Sequence, residues 1–458
     1  MTTPTRADEL ADVALGASRA DGCVVLVSST SEATLRWANT TMTTNGHATS
    51  RSVTVISVVG GSVGVVSTSA PDRDAVVAAV AASEVAARES GPARDVAPLV
   101  EGDATADFAE PAADTSIAVF DRLAGDLAAA FDDARGAGRT LYGFAEHRVT
   151  TTWLASSTGL RRRSVQPTGT VEVNGKVSAD LARSAWAGAH TRDFTDLDLL
   201  ALTGEVARRL DWSARQVALP AGRYETLLPP SAVADLLIDM LWSMDGRPAH
   251  EGRSAFSAGE RTRLGERLTD LPLTLASDPA APDLETGPFL TTASSSDAVS
   301  VFDNGAPVGR VEWLRDGTVN ALAYPRAAAD ELGGAFTPPP GNLLLTGGSA
   351  ASLDDMVAAT DRGLLLTCLW YIREVDPATL LLTGLTRDGV YLVEGGEVVG
   401  QVNNFRFNES PIDLLRRASE VGATAPALPR EWKDWFTRAA TAPVRVPDFH
   451  MSSVSDAT

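Results

Sequence analysis

Hydrophobic and polar positions change rhythm several times along this chain, and those changes predict its elements. An amphipathic stretch at 7–18 predicts a helix. The Val-, Ile-, Thr- and Trp-rich runs 23–28, 33–39, 52–59 and 62–68 then read as strands, with Asn45-Gly46 and Gly60-Gly61 as turns. Pro71 and Asp72 open a long alanine-rich helix to Glu89, and acidic residues suit its first turn. Residues 90–114 mix prolines, glycines and acids without a period and predict a surface loop. A helix over 115–135 stops at Gly136. Alternating runs at 139–147, 149–156, 160–168 and 170–179 predict half-buried antiparallel strands, and a Leu- and Ala-rich helix covers 196–213.

The pattern changes near 217–223. A strand from Tyr224 leads into a helix over 231–244, with Ser231 as its expected cap. Strands broken by glycine and proline dominate to about 408, interrupted by a helix at 352–360. A last helix, 411–418, follows Ser410 as cap. The expected fold is α+β in two domains, 1–216 and 217–458. The first would be a mixed sheet with helices, the second a mostly antiparallel, barrel- or sandwich-like β domain.

Composition narrows the function. The 458 residues are 44% hydrophobic and 21% charged, ordinary for a globular protein. No run of 18 apolar residues occurs, so a membrane span is not expected. The first ten residues lack the basic-then-apolar order of a secretory signal. Cys23 and Cys368, both in apolar runs, predict buried inert thiols and a reducing, cytoplasmic setting. A net charge of −20 argues against nucleic acid as a partner, because binding phosphates requires a basic surface. The one basic run, Arg161 to Arg163, reads as a solvated hairpin turn.

Several C-terminal strings stand out: Asp361-Arg-Gly-Leu-Leu, Gly389-Val-Tyr-Leu-Val-Glu-Gly-Gly, and Asn403-Asn-Phe-Arg-Phe-Asn-Glu-Ser-Pro. In that order, from Tyr224 onward, they resemble the C-terminal domain of the TldD/PmbA (TldD/TldE) metallopeptidase family. Leu35-Arg-Trp-Ala-Asn resembles its N-terminal strands. The resemblance implies proteolysis of unfolded peptides. It also implies a helix, equivalent to 231–244, carrying His-Glu-x-x-x-His for a catalytic zinc, with a cysteine near the chain end as third ligand. Such a site lowers the pKa of bound water, and the glutamate takes its proton.

This helix has no histidine. It carries Asp235 and Asp239 one turn apart, expected as a solvated acidic face, with a hard-cation site as the alternative. His250-Glu251 begins like the motif, but Ala255 stands where the second histidine belongs, so His250 reads as a loop histidine. His47, His147, His190 and His450 are scattered. A Ser-His-Asp arrangement has no local signature, and Walker, Rossmann and nucleophile-elbow motifs are absent. In Asn403–Pro411, alternation predicts Phe405 and Phe407 inward, with Arg406 and Glu409 paired near the surface.

No catalytic, cofactor or metal residue is therefore expected in this chain. The resemblance implies a zinc-less TldE/PmbA-type subunit of a heteromeric protease. Its TldD-type partner would carry His-Glu-x-x-x-His, the zinc and the activity on unfolded peptides. The alternatives are an autonomous metallopeptidase built on Asp235, Asp239 and His250, or a peptide-binding module without protease activity.

Overall fold

The computed structural model describes residues 5–69 and 71–455. Six strands, β1 (Gly22–Ala38), β2 (Thr41–Val59), β3 (Ser62–Ser69), β4 (Arg139–Ser156), β5 (Arg161–Val177) and β6 (Asp180–Thr191), form one sheet in the order β3-β2-β1-β4-β5-β6. Every pairing in it is antiparallel, where the sequence suggested a mixed sheet. Four of these strands run 17 to 19 residues, longer than the pattern predicted.

The reason is visible in β1. Cys23, Val25, Val27, Ala33, Leu35 and Trp37 are all buried and, two apart in register, share one face. The first three pack under α1 (Ala7–Ala17) and α2 (Arg73–Glu89). The last three pack under α3 (Asp121–Gly136) and α4 (Leu199–Trp212). One strand thus serves two helical layers, with the polar stretch Ser28–Glu32 between them. Val24, on the opposite face, meets Phe289, Val301 and Phe302 from the C-terminal half.

The hairpin turn joining β1 and β2 is Asn39-Thr40, both left-handed at φ 51° and 57°. Asn45 and Gly46 instead lie in β2, paired with Leu35 and Thr34. Gly60 and Gly61 do make the β2–β3 turn, with φ of 57° and 79°. Arg161, Arg162 and Arg163 are not a solvated turn. They begin β5 and fasten the 90–114 loop: Arg162 donates to the Asp103 carbonyl (2.6 Å) and Arg163 to the Pro111 carbonyl (2.7 Å).

Beyond Trp212 the chain builds a ten-stranded and a six-stranded sheet, mostly antiparallel, around its largest core. Helix α5 (Pro230–Trp242) lies in that core, with Val233, Leu236, Leu237, Ile238, Met240 and Leu241 all buried. Its cap position is Pro229, so Ser231 falls inside the first turn. Ser410 caps the helix Pro411–Arg417 by position only; its hydroxyl donates to the Thr379 carbonyl instead (2.9 Å). Phe405 and Phe407 are fully buried as the alternation predicted. Glu409 is buried too, paired with Arg417 and accepting the His450 amide at 2.7 Å, while Arg406 is exposed. The expected Arg406–Glu409 surface pair does not form, because Glu409 falls on the same side of the strand as the phenylalanines.

Candidate functional site

Helix α5 is where the chemistry was sought. Asp235 is completely buried, not solvated. Its carboxylate accepts the backbone N–H groups of Arg430 (3.1 Å), Glu431 (2.9 Å) and Trp432 (3.4 Å). Burial pushes this carboxyl well above its usual range, against the pull of the three amides. One turn on, Asp239 accepts the Trp432 indole N–H at 3.0 Å, and the same N–H reaches the Asp235 carbonyl at 3.1 Å. Desolvation raises the Asp239 carboxyl to about 7, with Glu374 and Glu431 adding repulsion. The two aspartates clamp the 430–432 turn onto α5.

These contacts bear on the cation alternative. An Asp235 carboxylate already facing three N–H donors has no geometry for a metal ion. His250 lies elsewhere, at the end of the short helix α6 (Gly246–His250) rather than in a loop, beside the Tyr324 ring at 6.1 Å. Among the described residues no three His, Cys, Asp or Glu side chains come together as a metal-holding group, Asp235, Asp239 and His250 included. Asp235, Asp239 and His250 as placed do not fit a zinc ion.

The clamped turn borders an exposed aromatic face, which sequence reasoning missed. Trp435 is 81% exposed, and Trp242, packed edge-on against Trp432 at 4.9 Å, is 42% exposed. Tyr371 is 53% exposed and held left-handed at φ 51°, its N–H donating to Glu431 at 3.1 Å. Tyr371 belongs to strand Leu369–Asp376, an edge of the ten-stranded sheet. A bulky residue at positive φ costs roughly 1–3 kcal/mol and persists where surrounding contacts fix it. The available signal was the density of tryptophans after residue 430, which an alternation search passes over because they sit in turns.

Serine, histidine and aspartate do meet elsewhere. His47 Nε2 lies 3.0 Å from Ser31 Oγ, and Ser31 donates to Asp114. The geometry is wrong for a nucleophile. Asp114 lies 3.6 Å from the same His47 nitrogen instead of bonding the far one, and the Thr115 amide also donates to Ser31 (3.1 Å). The Ser31 hydrogen bond holds the Asp114 carboxyl below its ordinary range, so Asp114 is a weak base. The cluster joins the middle of β1 to the 90–114 loop. His147 is buried and His190 half-buried, both pushed down by desolvation, and their Nε2 atoms meet the carbonyls of Arg192 and Ala439. Both thiols are buried, and burial lifts Cys23 to about 11 and Cys368 further. Thiolate chemistry is therefore suppressed at both.

Glu172 on β5 ties the halves together. It accepts the Trp186 indole N–H (2.9 Å) and pairs with Lys433 (3.0 Å) and Arg430 (3.5 Å). The Arg430 guanidinium also lies over the Trp370 ring at 4.2 Å.

The sequence matches three family models in order. These are PmbA/TldA metallopeptidase domain 1 over residues 23–87, the central domain over 106–214, and the C-terminal domain over 221–453. No curated protein matches significantly. Among solved structures, TldE from Thermococcus kodakarensis superposes with a TM-score of 0.79 at 15% identity, covering 97% of this chain and 99% of its own. A candidate DNA gyrase modulator from Thermotoga maritima gives 0.75 at 16%, over 97% and 99% of the two chains. Another, from Bacteroides thetaiotaomicron, gives 0.76 at 15%, over 98% of each. At such identities the superpositions speak for the fold alone. With all three domain models matched in order, the C-terminal one over more than half its length, this chain belongs to the PmbA/TldD metallopeptidase family.

Proposed function

We propose that this chain is the non-catalytic, zinc-less subunit of a cytoplasmic TldD/TldE-type metalloprotease acting on unfolded peptides. Its partner would be a TldD-type chain that carries His-Glu-x-x-x-His and the zinc. The observation that carries this reading is helix α5. Where the family resemblance calls for histidines, this helix presents two aspartates committed to holding the 430–432 turn. The likeness to a protein named TldE supports the same reading. The exposed Trp242, Tyr371 and Trp435 support a role in contacting other chains, since clustered exposed aromatics mark interaction surfaces. They equally suit the alternative of a peptide-binding module without a protease partner.

The test is reconstitution. The purified chain alone should hold substoichiometric zinc and leave casein-like unfolded substrates intact. Co-expressed with a TldD-type chain bearing the intact motif, it should co-purify and increase peptide cleavage. One tightly bound zinc per chain with autonomous peptidase activity, both lost in His250→Ala, would overturn the proposal.

A further inference from the structure

Of the 39 basic residues in this chain only two are lysines, Lys176 and Lys433, and both lie at the seam between the halves. Lys433 is neutralised twice, by Glu172 (3.0 Å) and Asp434 (2.8 Å). Lys176 is not. Its ammonium donates to the Leu181 carbonyl (3.3 Å) and meets no carboxylate within ion-pair distance among the described residues.

A cavity of about 510 Å³ opens beside it. Tyr142 on β4 and Asn174 on β5 are register partners, and Lys176 lies two residues further along the same face of β5. A side chain at Gly175, between them, would collide with Val206 and Leu210 of α4. Helix α4 therefore covers one face of the strand, and the cavity lies over the other. Its far wall comes from the C-terminal half, with Arg387, Asp388 and Arg430. Asp388 lies 3.7 Å from Arg387 and also accepts the Ser184 hydroxyl, while Glu172 lies 3.5 Å from Arg430. Each arginine thus has a carboxylate, and Lys176 is the charge left over. It is half-buried, as both arginines are. An ammonium partly stripped of water gains from a counter-ion, and low-dielectric walls strengthen the attraction.

We propose that this cavity binds a small aromatic monocarboxylate of about the size of benzoate. Its carboxylate sits between Lys176 and Arg387, and its ring lies against Tyr142 and Leu181. One surplus positive charge matches one negative charge. A neutral ligand would leave Lys176 unpaired, and a phosphate dianion would bring a second negative charge against Asp388. The Tyr142 hydroxyl is tied to Asn39 (2.7 Å), which fixes that ring as a wall. The Trp370 ring, also at the cavity, is already covered by the Arg430 guanidinium at 4.2 Å. The volume lies in the range of ordinary small-ligand sites. The inference concerns binding to this chain alone and does not rest on its role in a protease.

The experiment is calorimetric titration of the full-length chain with benzoate, benzamide, cyclohexanecarboxylate and inorganic phosphate. Saturable one-to-one binding is expected for benzoate. Benzamide, of the same shape without the charge, should bind about tenfold more weakly or worse, and Lys176→Gln should weaken benzoate by a similar factor while leaving benzamide unchanged. Cyclohexanecarboxylate binding as tightly as benzoate overturns the aromatic assignment, and phosphate binding more tightly than benzoate overturns the monocarboxylate. No saturation at millimolar benzoate, equal binding of benzoate and benzamide, or full affinity in Lys176→Gln overturns the site itself. If the variant loses its native circular dichroism, benzoate against benzamide on the unmodified chain decides alone.

Discussion

Asp239 shows how far one residue's role depends on what covers it. Its carboxyl sits at about 7 because α5 is buried and Glu374 and Glu431 lie near, with Arg373 opposing them weakly. A carboxyl whose folded pKa exceeds its unfolded value, about 4, binds its proton more tightly in the native state. Its contribution is complete below pH 4 and is lost as pH climbs through 7. Asp239→Asn keeps an oxygen for the Trp432 indole but removes the titration. The variant should be more stable than the parent at pH 8, by about 1–3 kcal/mol, and its stability should change less between pH 4 and 7. Urea denaturation across that range checks this; parallel pH curves for the two proteins would show that Asp239 is solvated after all. Asp235 and Asp239 were legible as a pair on one helix face, but not as a clamp. Their partners lie some two hundred residues away in sequence, at 430–432.

At the scale of elements, alternation placed most strands of the first sheet, missed β6 altogether, and read strand lengths poorly. The polar stretch Ser28–Glu32 divided β1 into two in the sequence because it lies between two helical layers, not because the strand ends there. The first half of β2 carries almost no apolar residues and was invisible for the same reason; backbone pairing with β1, register by register, keeps it extended. The strand Phe405–Glu409 behaved as predicted at its phenylalanines and not at its glutamate. Phe405→Ala or Phe407→Ala should each cost roughly 3–5 kcal/mol, and Arg406→Ala about 0.5 kcal/mol or less. Glu409→Ala should now fall nearer the first group, at about 2–3 kcal/mol, because it removes the acceptor of the His450 amide and one of Arg417's two carboxylate partners. Chemical denaturation of the four variants separates the groups, and small equal losses throughout would remove the strand from the core.

Over the whole molecule, the family fold was legible from the C-terminal strings, while the seam between the halves was not, since nothing local marks Glu172 as its centre. Glu172→Ala takes the carboxylate from Arg430, leaves Lys433 with Asp434 alone, and removes the acceptor of the Trp186 indole. We expect the thermal midpoint to fall by about 2–4 °C and cleavage within 213–215, between α4 and the strand Gln216–Val217 of the ten-stranded sheet, to quicken under limited proteolysis. An unchanged midpoint and digestion pattern would place the joining energy elsewhere, in contacts such as Val24 with Phe289 and Phe302.

The order of the first sheet also bears on how the chain is born. Strand β1 pairs with β2 at once but with β4 only after roughly a hundred more residues, so at ordinary synthesis rates its second edge stays open for about 5–20 s. During that interval a three-stranded ribbon rich in Val, Ser and Thr presents an unpaired edge as long as the strand itself, the kind of template that recruits other chains. Helices α1 and α2 are both complete before β4 and can shelter the aliphatic face of that ribbon, though not its edge. The nascent chain is therefore most exposed to misassembly between Glu89 and Ser156, and a ribosome stalled in that window should need a chaperone that one stalled past β5 does not.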